Sequence, residues 1–197
     1  MEKKETLSRL QPINISDSEL DYRKPQKHQV EAIKALDDYF NISGSIEPSP
    51  KSGILVMPTG SGKTFTAVHW LLKEASKNGY QIIWLAHRQE LIDQADWTFR
   101  ERSAMLKAYG FKKFKIIPIS GEHASMSMAS GYDVNVCSIQ SVASKFGTRY
   151  VNRMLGVKGK NKVIVIIDEA HHAISPSYKN VITHIRKKQK FPIEYLI

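Results

Sequence analysis

Residues 53–66, Gly-Ile-Leu-Val-Met-Pro-Thr-Gly-Ser-Gly-Lys-Thr-Phe-Thr, leave this chain few folds to choose from. Residues 54–57 are a short, apolar, branched run, which predicts a strand buried on both faces of a parallel sheet. Pro58 ends it. Thr59, Gly60, Ser61 and Gly62 then form a loop in which two glycines let backbone N–H groups turn inward around an anion. Lys63 and Thr64 open a helix whose unpaired N–H groups and positive dipole end favour phosphate. These are the parts of a P-loop, in the strand–loop–helix setting it requires. Met57 stands where the usual pattern has glycine. That is a strand-end position, and the chemistry rests on Gly62, Lys63 and Thr64.

The rest of the chain must supply a sheet and a partner for that loop. Its 197 residues suffice for one domain with a substantial core and are too few for two full α/β domains. A net charge of +10 points to an anionic partner. Nucleic acid is expected rather than a membrane, because no basic amphipathic helix or long apolar segment is visible. The longest apolar runs, such as residues 163–167, are strand-sized. The first residues, Met-Glu-Lys-Lys-Glu, do not resemble a signal peptide. Cys137 is the only cysteine, which excludes a disulfide framework and a cysteine zinc site, and a reducing cytoplasm is the expected location.

Residues 1–21 read as a polar lead-in and 22–197 as one nucleotide-binding domain. Helical periodicity predicts a helix over 25–40, with Pro25 in its first turn. A loop over 41–52 delivers the chain to the P-loop strand. Beyond the P-loop the pattern predicts helices over 63–78, 89–102, 140–146 and 177–190. It predicts strands over 81–86, 115–119, 134–137, 163–167 and 193–197, with a basic loop over 156–162. Such alternation means a parallel sheet covered on both faces.

A P-loop lysine needs partners before it implies hydrolysis. Asp168 and Glu169 follow the most apolar strand, where carboxylates emerge at the C-terminal edge of the sheet beside the phosphate loop. Asp168 is placed to hold Mg²⁺ together with the Thr64 hydroxyl. Glu169 is the candidate for orienting or deprotonating the attacking water. An acidic pair after a strand is commonplace by itself; the P-loop upstream and Ala170-His171 downstream give this one its meaning.

Residues 57–64, Met-Pro-Thr-Gly-Ser-Gly-Lys-Thr, and Asp168-Glu169-Ala170-His171 resemble motifs I and II of superfamily 2 helicases and translocases. The likeness is greatest to the DEAD/DEAH group that includes the motor subunits of type I and type III restriction enzymes. Residues 28–33, His-Gln-Val-Glu-Ala-Ile, resemble the glutamine motif before the P-loop, which implies that Gln29 reads the adenine edge. Gln26 stands where the family usually has arginine. Residues 85–94 resemble motif Ia, which puts His87 and Arg88 where a strand end and a helix start meet the nucleic-acid backbone. Residues 136–141, Val-Cys-Ser-Ile-Gln-Ser, resemble a later nucleic-acid motif carried by Ser138 and Gln140, with serine in place of the usual threonine. Gly121 is the candidate for an intervening glycine motif. His171 in the family couples the nucleotide site to the next motif.

The resemblance implies an α/β, three-layer RecA-like P-loop NTPase fold with a mostly parallel central sheet flanked by helices. It implies ATP and Mg²⁺ as cofactors, and ATP hydrolysis coupled to movement on nucleic acid or to duplex opening. DNA is favoured over RNA, because His87-Arg88 replaces the Pro-Thr-Arg typical of RNA-specific DEAD-box proteins. The family's next motif, and the second RecA-like domain with its transition-state arginines, are expected beyond Ile197, in cis or in trans. By itself the chain is expected to turn over little ATP. A rival reading is a stand-alone, non-catalytic, nucleotide-gated nucleic-acid-binding module. The motif Ia and Gln-Ser matches, and the charge, count against a P-loop enzyme that acts on something other than nucleic acid.

Overall fold

A computed structural model describes residues 11–18, 23–42, 51–120, 131–144, 147–155, 162–169, 174–188 and 193–196. In chain order its elements are β1 (Ile13–Asn14), α1 (Lys27–Phe40), β2 (Ser52–Gly53), α2 (Lys63–Trp70), β3 (Tyr80–Ala86), α3 (Gln89–Arg102), β4 (Lys113–Phe114), β5 (Ile116–Ile119), β6 (Val134–Ser138), α4 (Ile139–Ala143), α5 (Gly147–Met154), β7 (Lys162–Ile167), α6 (Pro176–Lys188) and β8 (Ile193–Leu196). A π-helical segment, Leu71–Ser76, prolongs α2, and a 3-10 segment, Ser103–Tyr109, prolongs α3.

Six strands make one sheet in the order β2-β8-β7-β3-β6-β5, and every neighbouring pair is parallel. Parallel neighbours require crossover connections, and the helices supply them on both faces. Side chains alternate along each strand, so each strand feeds two cores. Ile82, Trp84, Val134, Val136, Ile164 and Ile166 pack with Ile33, Leu36 and Phe40 of α1, Val68 and Trp70 of α2, and Phe99 of α3. On the other face, Ile83, Leu85, Cys137, Val163, Val165 and Ile167 pack with Val142, Val151, Met154, Tyr178, Val181 and Ile185 from α4, α5 and α6. Full burial of each aliphatic side chain contributes about 1.5–3 kcal/mol.

The register decides which residues leave the sheet together. Leu85 lies beside both Cys137 and Ile167, and Ala86 beside Ser138. The backbone continues the ladder one residue further, with Asp168 N donating to Leu85 O at 2.9 Å. His87, Ser138 and Asp168 therefore emerge side by side at one edge.

Four expectations need correction. Residues 54–57 are not a strand buried on both faces: pairing stops at Gly53, and Ile54 and Val56 are 65% and 84% exposed. The physical reason is position, since β2 is the outer strand of the sheet with only β8 beside it. Pro25 precedes the first turn of α1, because Gln26 is its N-cap, its N–H donating to Gln29 Oε1 at 2.9 Å. The helix expected over 140–146 is the shorter α4, and α5 is a further helix that the periodicity does not signal. Part of the polar lead-in is built into the domain: β1 pairs antiparallel with β4, and Ile15 is fully buried in the first core. The basic loop expected over 156–162 lies almost wholly outside the described residues.

Candidate nucleotide and nucleic-acid site

The phosphate loop, 59–62, follows the unpaired run 54–58 that leaves β2. Gly60 and Gly62 have φ of +78° and +82°, conformations that residues with a Cβ rarely adopt. Gly62 is also the N-cap of α2. A Cβ there would collide with Gln29 Nε2. The loop is tied internally by Ser61 Oγ, which donates to Pro58 O at 2.6 Å. From outside it is held by α1: Gln29 Nε2 and His28 Nε2 both reach Ser61 O, at 2.9 and 3.0 Å. Lys63 and Thr59 are exposed, and Thr64 is half-buried.

This gives Gln29 a definite place. It is buried, its carbonyl accepts from the Gln26 N–H, and its amide N–H donates to the loop. Its observed contacts brace the P-loop.

Opposite the loop, Asp168 follows β7 at the centre of the sheet. Burial holds its carboxyl above the usual carboxylate range, and the neighbouring Glu169 charge adds to this. The Trp84 indole N–H and the Lys63 charge act the other way. Trp84 Nε1 lies near enough to favour the carboxylate, yet neither it nor Asp168 Oδ2 has a partner of hydrogen-bond geometry among the described residues. A buried carboxylate oxygen left in this condition suits a cation. Beneath the acidic pair sits Tyr178 of α6, fully buried, its hydroxyl pushed up to about 12 by burial and then by the Asp168 and Glu169 charges.

The residues expected to meet nucleic acid adjoin the carboxylates. His87 Nδ1 approaches Glu169 Oε2 to 3.2 Å. Arg88, exposed at the N-cap of α3, donates from Nε to His87 Nε2 at 3.0 Å. Gln140 Nε2 donates to His87 O at 3.0 Å, and Ser138 Oγ donates to Gln140 Oε1 at 2.6 Å. The structure thus brings His87, Arg88, Ser138, Gln140 and Glu169 into one contact network. Gly121 and His171 lie outside the described residues. Sequence reasoning missed His28, Trp84 and Tyr178; only the adjacency of His28 to Gln29 could have signalled one of them.

Three segments far apart in sequence therefore present a phosphate-type loop, a pair of carboxylates and a basic strand end along a single sheet edge. The family described as "Type III restriction enzyme, res subunit" (ResIII) matches residues 22–193. The chain belongs to this family. Solved structures agree on the fold, a RecA-like α/β fold with a parallel sheet flanked by helices. The DUF1998 helicase MrfA bound to DNA and AMPPNP superposes with a TM-score of 0.56 at 14% identity, over 86% of this chain and 23% of that one. A second MrfA structure gives a TM-score of 0.52 at 15% identity, over 98% of this chain and 28% of that one. The UvsW helicase from bacteriophage T4 gives 0.50 at 16% identity, over 98% of this chain and 59% of that one. The chain thus spans less than two thirds of each of these helicases. None of the described helices is long and apolar enough to cross a membrane.

Proposed function

We propose that this ResIII-family chain is the ATP-binding N-terminal motor domain of a nucleic-acid-dependent ATPase, a cytoplasmic helicase or translocase acting on DNA in restriction or phage defence. The domain extends over 22–197, with a second RecA-like domain as its partner in cis or in trans. The observation that carries this reading is the network joining Ser138, Gln140, Arg88 and His87 to Glu169, beside the Lys63 loop. It supports the reading because a nucleic-acid contact surface there would adjoin the nucleotide site.

In this reading the backbone of Thr59, Gly60, Ser61 and Gly62 cradles phosphates, and Lys63 neutralises them. Asp168 and Thr64 hold Mg²⁺, which supplies charge to the phosphate oxygens when bound. Asp168 Oδ2 fits that role, being buried without a partner of good geometry among the described residues. Glu169 orients or deprotonates water. Gln29 serves the adenine site by fixing the loop beside it as well as by any contact to the base. Gly121 and His171 keep the roles that the family resemblance implies. Arg88 and the Ser138–Gln140 corner meet strand phosphates, so binding is steeply salt-dependent and tolerant of sequence.

The decisive experiment is calorimetric titration of the folded chain with ATP–Mg²⁺, paired with Lys63→Ala. The expected result is saturable binding in the wild type and none detectable in the variant. Near-native affinity in Lys63→Ala would refute the assignment. A parallel anisotropy titration compares single-stranded DNA and RNA of one length at several salt concentrations. Affinity should fall with salt, with a log–log slope of roughly −0.7 per phosphate contacted.

A further inference from the structure

Glu169, the residue assigned to the attacking water, is already engaged by something else. Its Oε2 faces His87 Nδ1 at 3.2 Å, and its backbone sits at φ +65°, uncommon for a residue that carries a side chain. On the far side of the ring, His87 Nε2 accepts from Arg88 Nε at 3.0 Å. An imidazole nitrogen that accepts a hydrogen bond carries no proton, so in the neutral ring the proton is on Nδ1, the nitrogen nearer the carboxylate. Arg88 therefore sets which tautomer His87 adopts, and through it what Glu169 meets.

The two ends of this relay differ in a telling way. His87 is anchored through its backbone oxygen to Gln140, and its side chain is mostly covered. Arg88 is exposed, at the place where a strand phosphate would arrive. The Nδ1–Oε2 approach is an electrostatic contact rather than a hydrogen bond of good geometry.

We propose that His87 is a positioning residue that reports nucleic-acid occupancy to Glu169. With no strand bound, Arg88 fixes the Nδ1–H tautomer, and His87 holds the Glu169 carboxylate toward the motif Ia junction. A strand phosphate that takes the Arg88 guanidinium removes the donor from Nε2. The ring is then free to change tautomer, and Glu169 is released toward the nucleotide. The inference rests on the proposed function above for the roles of Arg88 and Glu169.

The test is spectroscopic and needs no turnover. Long-range ¹H–¹⁵N spectra of the imidazoles report the tautomer of each histidine in the full chain, at pH about 8.5, two units above the ordinary imidazole pKa. His87→Asn identifies the resonances by their loss. A single-stranded DNA oligonucleotide is the probe, with its binding followed separately by fluorescence anisotropy. The wild type alone should show the Nδ1–H pattern at His87, and saturating oligonucleotide should convert it to an averaged or Nε2–H pattern. Arg88→Ala should give the same conversion without DNA, and Glu169→Ala should shift the Nδ1 resonance. Oligonucleotide binding with His87 unmoved would overturn the relay and leave the proposed function standing. No oligonucleotide binding at all would overturn both. An Arg88→Ala protein that keeps the Nδ1–H pattern would overturn the relay alone.

Discussion

Two apolar runs lead into the two halves of the site, residues 54–57 into the phosphate loop and β7 into the carboxylates, and the fold secures them in opposite ways. β7 lies between β3 and β8, and Val163, Ile164, Val165, Ile166 and Ile167 are all buried, contributing to both cores. The other run leaves the sheet's outer strand after Gly53, and Ile54 and Val56 face outward. The carboxylates are thus fixed by the sheet itself, through ladder bonds such as Asp168 N to Leu85 O. The phosphate loop depends on α1 instead. Gln29 and His28 hold Ser61 O, Tyr39 Oη donates to Ser52 O at 2.6 Å, and Lys51 Nζ reaches Tyr39 O at 2.7 Å. Side-chain braces replace a second neighbouring strand.

The sharpest way to break this comparison is to truncate one residue in each run. Ile164→Ala should cost about 2–5 kcal/mol, because it opens a cavity in a closed core. Ile54→Ala should stay within about 0.5 kcal/mol, as for other exposed positions. Equal losses in urea unfolding would mean that the two runs are secured alike.

Removing the brace comes next. Gln29→Ala takes the acceptor from the Gln26 N–H and leaves Ser61 O with only His28 as a side-chain donor, in a part-buried place, at a cost of roughly 1–2 kcal/mol. The same change should weaken ATP–Mg²⁺ binding in calorimetry. An unaltered affinity would show that α1 does not hold the loop.

The helix that the loop feeds carries a titrating group of its own. His69 of α2 is lowered to about 4 by burial, then by the Arg102 and Lys73 charges. Arg102 is fully buried, its Nη2 2.8 Å from His69 Nδ1 and its guanidinium 4.4 Å from the centre of the Phe65 ring. Between the ordinary histidine value and about 4 the unfolded chain binds the proton and the folded one does not. Stability should therefore decline as pH falls through that window. His69→Asn should flatten the decline, read as melting temperature against pH; an unchanged slope would count against it.

The smallest effect is expected at the end of β7. A raised carboxyl is disfavoured as an anion in the folded state, so its cost appears as pH rises past the unfolded value and persists at neutrality. Asp168→Asn should therefore raise the melting temperature of the metal-free protein at neutral pH. Saturating ATP–Mg²⁺ should remove or reverse that advantage. A melting temperature that falls in Asp168→Asn would contradict the assignment.

Local chemistry makes much of the candidate nucleotide site legible in the amino-acid sequence. Two glycines, a lysine and a threonine at a helix start are a backbone-scale arrangement, and the spacing that writes it lies within eight residues, 57–64. Likewise the alternation of strand and helix is enough for a parallel α/β fold, because parallel neighbours need crossovers and the crossovers cover both faces. The strand order and the likeness to solved structures bear out that reading. What spacing does not reach depends on which strands become neighbours. An apolar run such as 54–57 reads alike at the middle or the rim of a sheet, and only strand order puts it at the rim. Gln29 has a family role in sequence, yet its grip on Ser61 O depends on how α1 packs over α2. The approach of His87 to Glu169 spans strands β3 and β7, and it exists because Leu85 and Ile167 share a register. Residue spacing along the chain therefore determined the loop and the alternation of strand and helix around it. The tertiary structure decided which side chains from distant segments meet at the sheet edge, because register and strand order are set by packing across the whole sheet.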